Sequence, residues 1–180
     1  MTRIPLMLTG TAAIVLAIVS GGAISAQDKY TVQVPGGLAF SEFKGYEDWQ
    51  TIAVSQTDKA LKVILGNPVM IEAYRAGVPG NGKPFPDGSK TAKIEWNPKQ
   101  NAESPFPVRV PDTLEGIGLM VKDSRRFPDT GGWGYAQLSY DSASDTFKPD
   151  ERYVGDAKCG AACHTIAQTK NYVFTAYPKR

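Results

Sequence analysis

The only histidine in this chain and both of its cysteines fall within six residues: Cys159, Cys163 and His164. Thiols and an imidazole at that density can do four kinds of chemistry. The first is covalent haem attachment, whose signal is Cys, two spacers, Cys and an adjacent His. Here the spacer is three residues, Gly160-Ala161-Ala162, and the His still follows the second Cys directly. In that arrangement the thiols bond the porphyrin vinyls and the neighbouring imidazole rises to the iron. The second is a disulfide. Residues four apart on a helix hold their Cβ atoms about 5–6 Å apart, and a disulfide wants about 3.8 Å, so a regular helix would have to break. The third is a redox dithiol, at a spacing that departs from Cys-x-x-Cys. The fourth is a metal held with an outside ligand, since a structural zinc site takes about four Cys or His ligands and the chain has three. A hydrolytic triad would have to rely on His164 alone.

If haem binds, its second axial position becomes the question. There is no second histidine, and the methionines beyond the N-terminal segment are Met70 and Met120. Met70 falls on an apolar helix face and reads as core. Met120 shares a strand face with Gly118 and Lys122 and is the candidate second ligand. Electron carriers fill both axial sites with His or Met, so a lone histidine favours an open iron that binds a ligand or does chemistry.

The elements that must position these residues follow from periodicity and turn chemistry. A helical turn is expected at 45–50, with Tyr46 and Trp49 inward. Strands are expected at 51–56 and 61–66. Pro68, placed where a first helical turn tolerates it, opens a helix that ends at Gly77. A loop rich in Gly and Pro spans 77–90 and closes with Phe85-Pro86-Asp87-Gly88. In 91–96, Ala92, Ile94 and Trp96 point one way and Thr91, Lys93 and Glu95 the other. A second loop covers 97–112, strands follow at 116–122 and 133–140, and a helical or loop-helical stretch covers 150–168. A last strand is expected at 172–177. About five strands with a few short helices predict an α+β single domain on a mainly antiparallel sheet.

Composition narrows the setting. The chain has 180 residues, 20 Lys+Arg and 18 Asp+Glu, a balance without the basic footprint of nucleic-acid binding. Arg3 is the one charge before an apolar run with small residues at its end, Ala23-Ile24-Ser25-Ala26. This is the pattern of a secretory signal, cleaved after Ala26 to leave 27–180; the rival is an uncleaved anchor. The destination is outside the cytoplasm, and the bacterial periplasm fits both disulfides and haem attachment.

Further segments complete the picture: Leu65-Gly66-Asn67; Phe85-Pro86-Asp87-Gly88 followed by Lys93; Val121-Lys122-Asp123-Ser124-Arg125-Arg126-Phe127; Trp133; Cys163-His164; and Tyr172-Val173-Phe174-Thr175. In order and spacing, over about 60–177, the chain resembles the cytochrome P-460 family and its relative cytochrome c′-beta. The resemblance implies a small periplasmic homodimer on an antiparallel sheet. Each chain would carry one covalent haem c, high-spin and five-coordinate, with His164 as proximal ligand. It implies a haem-dependent oxidoreductase acting on hydroxylamine, with nitric oxide handled as well, that passes electrons to a periplasmic partner. In cross-linked members a lysine five residues after the Gly of an Asp-Gly turn bonds a porphyrin meso carbon, and that position is Lys93. Read from its strand alone, Lys93 is a solvated side chain. Cytochrome c′-beta relatives bind nitric oxide or carbon monoxide without the oxidation, and Phe85 or Phe106 could supply such an apolar far side. An electron carrier is a further alternative. Cross-linked members place a distal carboxylate shortly before the Val-Lys-Asp segment. Here Gly118 holds the matching position, and Glu115, three residues earlier, is the candidate acid only if the strand register shifts, because a slip of one flips its face.

Overall fold

The computed structural model describes residues 28–153 and 157–180; the expected secretory signal, 1–26, lies outside the described residues. Six strands form one antiparallel sheet in sequence order: β3 (Gln50–Gln56), β4 (Leu61–Gly66), β5 (Lys90–Gln100), β6 (Arg109–Lys122), β7 (Trp133–Asp141) and β8 (Thr146–Pro149). A two-stranded ribbon, β1 (Gln33–Val34) and β2 (Leu38–Ala39), precedes it. The helices are short: α1 (Pro68–Arg75) and α2 (Ala161–His164), with several 3-10 turns. The α+β, mainly antiparallel single domain expected from the sequence is the one observed. Among the described residues no helix is long and apolar enough to cross a membrane.

The alternation in β5 sorts the sheet into two faces. Ala92 and Ile94 join Val63, Leu65, Ile117, Leu119 and Leu138 on one side, where Phe40, Phe43 and Tyr46 from the N-terminal segment close the core. Residues one position out of phase line the other side. There Ile64, Trp133 and Tyr135 meet Met70, Ile71 and Tyr74 of α1, Phe85 of the following loop, and Val173 near the C-terminus. Lys93, paired in register with Gly118 and Ile64, belongs to this second face.

Local chemistry explains the frame around that face. Asn67 caps α1, its side-chain oxygen accepting from the backbone N–H of Met70 at 3.0 Å, as an N-cap should. The same oxygen accepts from Lys90 N at 3.0 Å, and the Asn67 amide donates to Gly88 O at 2.8 Å. One residue thus joins β4, α1 and β5. Asp87 accepts from the backbone and hydroxyl of Ser124 at 3.0 and 2.8 Å, while Gly88 N donates to Lys122 O at 2.8 Å. The Asp-Gly turn and the segment after β6 are one interlocked unit.

Three expectations are corrected. The loop assigned to 97–112 is strand at both ends, with only 101–108 left as loop: β5 and β6 run on as an arm, with Pro98 opposite Pro111 and bulges between Glu95 and Trp96 and between Trp96 and Pro98. Prolines are tolerated in such an exposed, bulged arm, but they masked its period. The short β8 was not foreseen. The segment 172–177 is not a strand; Asn171 (φ 53°) before it and Tyr172 (φ 65°) at its start are both left-handed and turn it out of any ladder.

Candidate functional site

Cys159 lies in a turn that leads into α2, a single helical turn holding Cys163 and His164, which flows into a 3-10 stretch (Thr165–Lys170) that stops at Asn171. The left-handed pair Asn171-Tyr172 then folds the chain back so that the Tyr172 carbonyl meets His164 Nδ1 at 2.7 Å. A carbonyl only accepts, so Nδ1 carries the proton and Nε2 keeps its lone pair for a metal. The imidazole lies between the rings of Tyr135 and Phe174, at centroid distances of 4.8 and 4.7 Å. Burial pushes its pKa below the ordinary 6.5, the Tyr172 bond opposes this, and the positive charge of Lys93 adds to the lowering. The fold thus favours the neutral, ligating form.

That preference has a consequence for the haem-free chain. Between the depressed folded value and 6.5 the unfolded state binds more protons, so stability falls as pH drops through that window. Urea denaturation of the wild-type apoprotein and of His164→Gln over this range should show the extra acid loss in the wild type only. Parallel curves for the two proteins would refute a buried neutral His164.

The segment after Tyr172 is tied down by side chains instead of a ladder. Trp133 Nε1 donates to Asn171 O at 2.9 Å, and Asn171 Oδ1 accepts from Phe85 N at 2.8 Å. Tyr74 donates to Thr175 O at 2.8 Å and stacks on Tyr177. Arg180 reaches the backbone oxygens of Thr51 and Ile52 on the edge strand. These anchors fix the carbonyl that orients His164.

Both cysteines are free and exposed, and among the described residues no group of three or more His, Cys, Asp or Glu side chains is gathered for a bare metal ion. Tyr135, in tilted ring contact with the imidazole, is 5 % exposed, and its hydroxyl is buried without a hydrogen-bond partner among the described residues; burial raises its pKa. A free Nε2, two outward thiols five residues or less away, and an unsatisfied buried hydroxyl suit a large prosthetic group laid against this face. The residues present fit a haem.

The sheet face near His164 holds the other candidates. Lys93 lies over Gly118: a Cβ on that glycine would sit 2.9 Å from Lys93 Cε and 2.8 Å from Gln137 Oε1. The φ of Gly118 is not positive, so the glycine serves space, not conformation. Lys93 Nζ pairs with Glu95 at 2.5 Å, and Lys62 approaches the same carboxylate at 3.5 Å. Met120, opposite Thr91 and Tyr135, is partly buried against the second core cluster, the packing role. Met70 is fully buried. Glu115 is the extra residue of a bulge, because Glu95 pairs with Gly116 and Trp96 with Leu114. The bulge lies at Glu115 itself, while Gly118 stays in regular register opposite Lys93. Glu115 lines a cavity of about 310 Å³ together with Glu95, Gly116, Gln137, Asp150 and Arg152. Phe85 is core, stacked edge-on against Tyr74 and Trp133, and Phe106 is 72 % exposed in the β5–β6 hairpin.

Sequence reasoning missed Tyr135, Phe174, Gln137 and Glu95 as neighbours of the site. Tyr135 and Gln137 were available from period two, since they alternate in step with Trp133 on the same strand. Phe174 was hidden by the mistaken strand at 172–177, and the partner choice of Glu95 has no sequence signal.

An open antiparallel sheet with one braced imidazole near two exposed thiols has the side chains a haem protein built on such a sheet would use. Comparison with family models gives a match to Cytochrome P460 over residues 43–175. The chain belongs to the Cytochrome P460 family, a family of haem cytochromes. A comparison with curated proteins returned no match.

Proposed function

We propose that this chain is a periplasmic mono-haem c-type cytochrome that oxidises hydroxylamine, handles nitric oxide, or both. The observation that carries the reading is the His164 imidazole, with Nδ1 committed to the Tyr172 carbonyl at 2.7 Å and Nε2 left for iron. Cys159 and Cys163 would hold one haem c per chain through thioethers, and His164 would be its only protein ligand. Bound haem would supply a five-coordinate iron that accepts a nitrogenous ligand and takes electrons from it. The Tyr172 carbonyl keeps the imidazole in one tautomer and raises its basicity, as partners of ligating histidines do. The buried Tyr135 ring shields one side of the imidazole. Lys93, lying over the Gly118 gap, would contact the macrocycle and tune it. Glu115, on the bulge that lines the polar cavity, would take substrate protons, and its exposure gives them a route to solvent. Secretion, a homodimer and a periplasmic electron acceptor complete the reading.

One observation favours a second reading, a nitric oxide- or carbon monoxide-binding protein of the cytochrome c′-beta type. β6 presents Gly116 and Gly118 to this face, and neither brings an acid to the position where cross-linked relatives carry one. The purified holoprotein separates the two. A haem-positive band after denaturing electrophoresis, a ferrous Soret band displaced far to the red and hydroxylamine-dependent reduction of an added acceptor are expected. A high-spin spectrum that shifts with nitric oxide but shows no turnover selects the second reading. A low-spin spectrum, or no covalent haem from a host that matures other c-type cytochromes, would refute both.

A further inference from the structure

The side chains around Lys93 form an arrangement whose parts come from three strands. Lys93 is on β5, its floor Gly118 on β6, and Lys62 on β4 directly opposite Glu95. Glu95 is the centre. Its side chain is only 14 % exposed, yet it faces two ammonium groups, Lys93 at 2.5 Å and Lys62 at 3.5 Å. A free lysine has four rotors and loses much freedom when fixed, so an amine meant to reach one spot needs a local restraint. An i, i+2 pair on one strand face sets the two side chains next to each other by the pleat alone. The gap at Gly118 leaves room for the Lys93 stem, whose Cε and Nζ would lie 2.9 and 3.4 Å from a Cβ there. The second lysine is surplus for neutralising one carboxylate. It has a use if Lys93 moves, because Lys62 keeps the partly buried Glu95 paired after Lys93 leaves it, and a carboxylate with little solvent around it is costly to leave unpaired.

We propose that Glu95 is a positioning residue that clamps the Lys93 amine over Gly118 on the haem face, and that Lys62 is the standby counter-ion that lets Lys93 be released to the macrocycle. The proposal rests on the reading of Lys93 as a haem-contacting residue. Glu95→Gln removes the charge and keeps the shape. In that variant the haem attached through the cysteines and the thermal midpoint should stay as in wild type. In the Lys93–haem bond the lysine nitrogen replaces a meso hydrogen: one Nζ–H and one C–H are lost as two protons, and the two electrons pass to a peroxide-class oxidant. The fraction of tryptic haem peptide that also carries the Lys93 peptide should fall by about tenfold, the scale on which outer-shell partners act. Glu95→Asp should restore part of it, and Lys62→Gln should change it less than Glu95→Gln does.

A second readout on the same holoproteins separates this proposal from the reading beneath it: acylation of Lys93 by an amine-reactive reagent, scored against the exposed Lys59. Lys93 should be protected in wild type and label at least about fivefold faster in Glu95→Gln, as loss of a partly buried ion pair allows. If wild type carries no Lys93–haem bond but this difference holds, the clamp stands and the haem-contact reading falls. Equal labelling in the two proteins, or full Lys93 attachment in Glu95→Gln, overturns the proposal.

Discussion

The His164→Ala variant is expected to keep haem on the chain and to lose the chemistry at the iron. The two anchors and the ligand are separate groups: the thiols of Cys159 and Cys163 are free and point outward, whereas His164 is held inward by Tyr172. Removing the imidazole leaves both thiols intact. It removes the only histidine in the sequence, and Met120 is packed in the second core cluster. Replacement of outer-shell partners costs about ten- to a hundredfold in metal-site function, so loss of the ligand itself should cost more than about a hundredfold in hydroxylamine-dependent acceptor reduction or in nitric oxide affinity. The cavity left by the ring lies between Tyr135 and Phe174, two aromatic walls that can receive a planar guest. Added imidazole should therefore restore part of the wild-type ferrous spectrum. An alanine variant with unchanged spectrum and turnover would mean that another residue ligates the iron.

Much of this site was legible because chemistry concentrated in rare residues. With one histidine and two cysteines in the chain, Cys159, Cys163 and His164 could be named without any knowledge of the fold. Lys93 was legible only through resemblance, since a lysine between Thr91 and Glu95 on a strand reads as solvated. In the structure the Lys93 side chain is 37 % exposed and paired with Glu95. Other residues of that sheet face, Ile64, Trp133 and Tyr135, are covered by α1, Phe85 and Val173. Glu115 illustrates the opposite case. Its position was readable, but whether it could serve depended on a bulge, and a bulge is decided by pairing between strands that no single strand's pattern contains.

For the fold, the strands with clean alternation and firm stops were read nearly to the residue, as in β4, ended by Gly66-Asn67. The arm at 97–112 was lost because Pro98 and Pro111 read as loop punctuation, although they face each other across an exposed ladder. The tail at 172–177 was over-read, because Tyr172-Val173-Phe174-Thr175 has strand composition. Its hydrogen bonds go elsewhere: Thr175 O accepts from Tyr74 and Asn171 O from Trp133. Composition records what a pleated surface would accept; it does not record that left-handed Asn171 and Tyr172 sit where the tail begins.

The largest stability effect is expected at Trp133, where core and site meet. Its side chain is fully buried, with Phe85 edge-on at 6.0 Å and the Lys122 ammonium over its ring at 5.5 Å. Trp→Ala in such a place removes the transfer term and leaves a cavity, about 3–5 kcal/mol together, a large share of the about 5–15 kcal/mol that holds a domain folded. Trp133→Ala should therefore lower the urea midpoint severely or prevent folding. Trp133→Phe is the informative companion. It keeps most of the packing and removes one donor, the Nε1–H that binds Asn171 O at 2.9 Å, a loss of about 1 kcal/mol. That bond holds the first of the two left-handed residues, and the second, Tyr172 at φ 65°, carries the carbonyl that fixes His164. A bulky residue in that conformation persists only while its surroundings impose it. Trp133→Phe should thus unfold close to wild type while the His164 imidazole becomes less ordered; if His164 ligates the haem as proposed, this is read as a shifted reduction potential and a broadened ferric signal. If Trp133→Phe matches wild type in both potential and line shape, Asn171-Tyr172 is held by Phe85 and the 3-10 stretch alone, and Trp133 serves the core without serving the ligand.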